Sequence, residues 1–295
     1  MNVLTLWGKL QAAAGHVRRF VDHPPMPAEQ AAELSREADD PAHAPLRWTQ
    51  GKPLSEARNA HFTNTHAQML EALRHPNNFL EGDIRLEGAV RPVPCPFWDR
   101  QPIMAHDPDA TGGMTLEEWL TVGAASGRGL KLDIKQAASV PQVIEAVQRH
   151  GVPGWRMIVH SDVAAGPGAP PSWQYRLFDG AIDAACDLQD LRRVRDAFPD
   201  AVISLGCRTG SAPQGTRYTA EQLQELIDFG GELGGPIAFA LRAEFVDQAA
   251  IDALKPHGSV GVWNDPGTWA PPDVEKETQR LRAMGVDGLI DLRPA

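Results

Sequence analysis

Two periods of hydrophobic and polar residues take turns along this chain. From Arg58 onward, short apolar runs are separated by stretches in which apolar residues recur every three to four positions. The first pattern suits strands and the second amphipathic helices. The runs predict strands over residues 58–62, 79–86, 129–134, 156–163, 201–205, 237–242, 259–263 and 288–292, and helices over 65–74, 115–125, 140–150, 187–198, 219–229, 246–254 and 274–284. Thr115 with Glu118, and Thr219 with Gln222, carry the spacing of a capping box at two helix starts. Strands alternating with helices imply βαβ crossovers and a parallel sheet, and eight of them suggest a closed (β/α)8 TIM-type barrel over residues 57–295. The first crossing has no G-x-G-x-x-G, so a dinucleotide fold has no motif support. Residues 1–56 read differently. They are rich in Ala, Pro, Glu and His, with a helical patch at 28–38, and form an N-terminal extension that either caps the barrel floor or serves a protein partner.

Candidate chemistry sits where the strand pattern is interrupted by charge. In 79–86, Glu81 and Asp83 are two apart and share a strand face, with Leu80 and Ile84 behind them. Neighbouring carboxylates repel, and a hard divalent cation relieves this by taking oxygens from both; the alternative is an edge strand with both acids in solvent. In 129–135 the same alternation puts Lys131, Asp133 and Lys135 on one face, a costly burial unless paired, and makes Asp133 a third carboxylate for one ion. Barrel enzymes work at the C-terminal ends of their strands. Here those ends read His61, Glu81 and Asp83, Asp133 and Lys135, His160 and Asp162, Ser204, Arg242, Trp263 with Asn264, and Asp291. His106 follows the apolar run 102–105 and precedes Asp107-Pro108. Two imidazoles, His61 and His106, beside a carboxylate-held ion provide an acid, a base and a charge on the phosphoryl oxygen, which is what phosphodiester cleavage needs.

Composition narrows the partners. The chain has 295 residues, 42% hydrophobic and 22% charged, with a net charge of -10 and no basic stripe, which argues against a nucleic-acid surface. Cys95, Cys186 and Cys207 are odd in number and lack C-x-x-C spacing, so neither a disulfide framework nor a zinc knuckle is indicated. With no signal-like start and no apolar run long enough to span a bilayer, the expected location is the cytoplasm.

His61 with Asn64-Thr65, Glu81-x-Asp83, His106-Asp107-Pro108, Leu132-Asp133-Ile134-Lys135 and Gly285-Val286-Asp287-Gly288-Leu289-Ile290 follow in order a pattern that resembles the glycerophosphodiester phosphodiesterase-like (phospholipase C-like) barrels. Closer still, Pro102-Ile103-Met104-Ala105-His106, Thr115-Leu116-x-x-Trp119-Leu120, Gly129 to Lys135, Ser204-Leu205-Gly206 and Val262-Trp263 resemble the menorin branch, over about residues 58–292. The resemblance implies Glu81, Asp83 and Asp133 as ligands of Mg2+ or Ca2+, and His61 and His106 as the acid/base pair. It implies a small-molecule or lipid-derived phosphodiester as substrate, with Lys135, His160, Arg242 and Trp263 as the candidates to contact it. There are departures: Phe62-Thr63 stands where most relatives have Arg-Gly, and Asp133 where they have Glu, so Lys135 or Arg242 would have to supply the missing positive charge. The competing reading is a non-catalytic barrel that binds a phosphorylated ligand or a protein. Residues 164–173, rich in Pro and Gly, suggest a lid or docking loop under either reading.

Overall fold

The computed structural model describes residues 26–87, 101–107, 113–169 and 186–294. The chain runs α1 (Ala28–Ala38), β1 (Asn59–Ala60), α2 (His66–Arg74), β2 (Phe79–Leu86), β3 (Pro102–Met104), α3 (Leu116–Ser126), β4 (Gly129–Ile134), α4 (Val140–Arg149) and β5 (Met157–Ala165). It continues through α5 (Leu188–Ala197), β6 (Val202–Arg208), α6 (Ala220–Leu233), β7 (Ile237–Arg242), α7 (Gln248–Leu254), β8 (Ser259–Trp263), α8 (Val274–Ala283) and β9 (Ile290–Asp291). Strands β1, β2 and β4 to β9 pair in parallel in chain order, and β3 adds antiparallel to β2. The result is a nearly closed barrel of eight parallel strands wrapped by helices. Its first and last strands are bridged by side chains: Asn59 Nδ2 donates to Asp291 Oδ2 at 3.0 Å.

The local signals in the sequence act as their chemistry requires. Thr65, Thr115 and Thr219 each cap a helix in a reciprocal box with Gln68, Glu118 and Gln222, satisfying N–H groups that the first helical turn leaves open. Along β2, Leu80 and Ile84 are fully buried against the helices while Glu81 and Asp83 turn to the barrel interior. Gly82 has no side chain for a physical reason: a Cβ there would collide with Met104 on β3 and Trp119 on α3. The missing methyl lets β3 and α3 close directly behind the two acids.

The described part of the extension belongs to the packed structure. Leu34 and Ala38 of α1 join the main core. Trp48 sits edge-on to Phe79 with ring centroids 4.6 Å apart, donates its backbone N–H to Gly127, and with Ala57 and Ile158 forms a small second cluster under the barrel. Residues 26–56 thus pack on the barrel, α1 against the helices α2 and α3 and Trp48 against the floor. The first 25 residues, Cys95, Pro108, and residues 170–173 of the expected lid lie outside the described residues.

Candidate active site

Register brings the charged residues of adjacent strands face to face. Asp83 on β2 is level with Asp133 on β4, Glu81 with Lys131, and Asp133 with His160 on β5. Opposite charges so placed neutralise one another, and two lysines divide the acids between them. Lys131 Nζ lies 2.7 Å from Glu81 Oε1; Lys135 Nζ lies 2.8 Å from Asp133 Oδ2 and 3.0 Å from Asp83 Oδ1. Burial, the largest influence on both lysines, works against their charge, but Glu81 next to Lys131 and Asp133 with Asp83 next to Lys135 outweigh it and raise both above the usual lysine range. Burial likewise disfavours the Glu81 anion, yet Lys131 and His61 hold it well below the ordinary carboxylate range.

His61 follows β1 and is fixed from below. Its Nδ1 donates to Asp291 Oδ2 at 2.7 Å and lies 3.0 Å from Glu81 Oε2. Burial alone would lower its pKa, but Glu81 and Asp291 reverse that and raise it to about 9. The next residues are stapled to β2. Thr63 donates from both its backbone N–H and its hydroxyl to the Glu81 carbonyl, each at 2.7 Å, and receives the Trp119 indole N–H at 2.8 Å. Asn64 brackets Asp83: its amide donates to Oδ2 at 2.8 Å, and its oxygen accepts the Asp83 backbone N–H at 2.9 Å. His106 follows β3, is half exposed, and holds its Nδ1 2.9 Å from Asp107 Oδ1. The guanidinium of Arg85 donates to the His106 carbonyl at 2.7 Å.

Of these residues, His106, Arg85, Asp133 and Lys135 line a cleft of about 280 Å³ together with Asp162, Arg208 and Trp263, among others, whereas His61, Glu81 and Asp83 are not in its lining. Lys135 and Trp263 of the expected substrate contacts are thus at the cleft, whereas His160 and Arg242 stand behind it. His160 is buried, with Nδ1 3.1 Å from Ser204 Oγ and Nε2 3.6 Å from Asp162. Arg242 is ion-paired with Glu244 at 2.9 Å, and its guanidinium lies 5.7 Å from the Trp263 ring, which places it as a support for that wall.

Glu81, Asp83 and Asp133, the three carboxylates expected to hold one ion, are all buried, with Glu81 opposite Lys131 and Asp83 opposite Asp133; carboxylate oxygens are the donors a hard divalent cation takes. Asp83 Oδ1 accepts no well-directed hydrogen bond, and its charged neighbour is Lys135. Among the described residues, the groups of three donors within 4.8 Å of one another are His61, Glu81 and Asp291, and, away from the cleft, Glu37, Asp40 and His43. Glu81 is thus brought together with Asp291 and His61, while Asp83 and Asp133 meet at Lys135.

The sequence marks Asp291 as a strand end without a role, shows Phe62 and Asn64 only as parts of the family pattern, and singles out none of Asn59, Arg85 and Arg208. Arg85 was within reach, because the alternation that pairs Glu81 with Asp83 continues to it. Arg208 was not, since β6 runs three residues beyond its expected end at 205.

The pattern of the Menorin N-terminal domain matches residues 54–256. The human protein FAM151B is 33% identical over 202 residues, which are 66% of this chain and 65% of that protein. The chain thus spans slightly less than two thirds of this curated relative. Among solved structures, an Oleispira antarctica phosphodiesterase in complex with the product sn-glycerol-3-phosphate overlays with a TM-score of 0.45 at 13% identity, over 72% of this chain and 81% of that one.

Proposed function

This chain belongs to the menorin family, and we propose that its cleft is the active site of a metal-dependent phosphodiester hydrolase acting on a small or lipid-derived phosphodiester. The observation that carries this reading is the pair His61 and His106, each held through Nδ1 by a carboxylate and both against the Phe62 ring, with His106 on a cleft lined by Lys135, Arg85 and Arg208. Held this way, an imidazole keeps its second nitrogen for the substrate. His61, bound by two carboxylates, is built to carry a proton and give it to the leaving alcohol, and half-exposed His106 to accept one from the attacking hydroxyl or water. Lys135 and the cleft arginines face the charge that spreads over the phosphoryl oxygens, and Trp263 walls the side.

Glu81, Asp83 and Asp133 are the residues to hold Mg2+ or Ca2+, with Asp291 the carboxylate next to Glu81. When bound, the ion supplies positive charge to a non-bridging phosphoryl oxygen. No described helix is long and apolar enough to cross a membrane. The cytoplasmic setting is supported by Cys186 and Cys207, which are buried free thiols.

Glycerophosphodiesters, lysophospholipids, cyclic phosphates and a chromogenic diester, each assayed with Mg2+, with Ca2+ and with a chelator, test the proposal. Metal-dependent release of an alcohol from any of them is the expected result. No turnover of the panel, together with retained ion binding, would transfer the cleft to a binding role.

A further inference from the structure

The residue that follows His61 is the unusual one. Phe62 has a φ of 58°, the one left-handed backbone outside glycine among the described residues. A β-carbon there costs about 1–2 kcal/mol, and glycine would avoid it. The conformation is imposed by its neighbours: Thr63 is tied twice to the Glu81 carbonyl, and His61 is tied to Asp291. A turn locked on both sides fixes where the Phe62 side chain goes.

That side chain touches both histidines. Its ring is edge-on to His61, with centroids 3.9 Å apart and planes at 73°, and edge-on to His106 at 4.8 Å and 76°. Arg293 packs its guanidinium 5.1 Å from the centre of the same ring. Arg293 is itself fixed by Asn264, which is fully buried; the Arg293 backbone N–H donates to Asn264 Oδ1 at 2.7 Å and its guanidinium to the Asn264 carbonyl at 2.9 Å. One ring is thus braced by the last segment of the chain and contacts imidazoles from two separate elements.

We propose that Phe62 is a positioning residue, whose strained backbone aims one ring between His61 and His106 and holds both imidazoles at the orientation their proton transfers need. His61 already has two carboxylates on Nδ1. His106, half exposed with Asp107 as its carboxylate, depends more on the ring. Arg293 keeps the ring from turning through a cation–π contact. Glycine at this position would satisfy the backbone and lose the function, whereas leucine or alanine would keep the strain and lose the ring edge.

The kinetic arm of the test rests on the phosphodiesterase reading, while the spectroscopic arm does not. With histidine-labelled full-length protein, Phe62→Leu is expected to move the ring resonances of both His61 and His106, and Phe62→Tyr to leave them near the parent values. On a diester turned over by the parent, Phe62→Leu should lower kcat by about 10- to 100-fold with KM within about twofold, as misaligned catalytic groups do, and Phe62→Tyr should restore it. Phe62→Gly should melt above Phe62→Ala, because only glycine is at ease at this φ. Unmoved His106 resonances in Phe62→Leu, or an unchanged kcat, would overturn the proposal. If the parent turns over no diester, the phosphodiesterase reading fails by itself, and the resonances still decide the role of Phe62.

Discussion

Asp83 shows how one side chain can matter for charge and little for packing. It is fully buried, but the hydrophobic contacts of its strand are made by Leu80 and Ile84 on the other face. Asp83→Asn keeps the shape and the bracket with Asn64 and removes the charge. It should weaken Mg2+ or Ca2+ binding steeply in calorimetric titration while the melting transition stays cooperative. His61 makes a different prediction, for the metal-free protein. Burial opposes its charge, but Glu81 and Asp291 raise its folded-state pKa to about 9. A raised pKa means that the folded state binds the proton more tightly than the unfolded one. The stabilisation is then complete below the unfolded value near 6.5 and is lost as pH rises through about 9. Melting midpoints of the parent should fall between pH 7 and 9, and that slope should flatten in His61→Gln. Replacing His61 or His106 singly should cost about 10²–10⁴-fold in turnover, and replacing both far less than the product of the two losses. A single loss confined to one histidine would show that the other is not part of the proton path.

Among the elements, long periodic segments were legible and short or irregular ones were not. The helices from α1 to α8, except for α6, which runs four residues past its expected end at 229, and the strands β2, β4 and β7 lie within a residue or two of their expected bounds, because each carries a full amphipathic stripe or a clear alternation closed by a cap or a glycine. β3 did not announce itself as a strand. It has three residues and owes its strand geometry to pairing with β2, which no local pattern encodes. The same limit applies to the site. Glu81, Asp83, Asp133 and Lys135 were visible as alternating charges within single strands, whereas the contact of Asp291 with His61 joins opposite ends of the chain and exists only once the barrel closes. Gly82 is the element-scale position most open to test. Adding one methyl drives it into Met104 and Trp119, so Gly82→Ala should cost about 1–3 kcal/mol in chemical denaturation, with its damage centred on β3 and α3. Unchanged stability would mean that these two elements do not close on β2 as described.

At the scale of the molecule, the barrel separates its support from its chemistry. Acids, lysines and histidines gather where the parallel strands end, and the floor at the other end is sealed by Trp48, Ala57, Phe79 and Ile158. Trp48 is almost completely buried, and its ring meets Phe79 at the start of the strand that carries Glu81 and Asp83. Removing it should therefore act through stability. Trp48→Ala is expected to cost about 3–5 kcal/mol, the usual penalty for deleting a buried large aromatic, and to lower the melting midpoint accordingly. Ion affinity, and KM on any diester the parent hydrolyses, should stay near their parent values at temperatures where the variant is folded, because register along β2 is fixed by its pairing with β4 over six residue pairs. A loss of ion affinity with little loss of stability would mean that the floor sets the position of the acids. The extension would then be part of the site and not only its support.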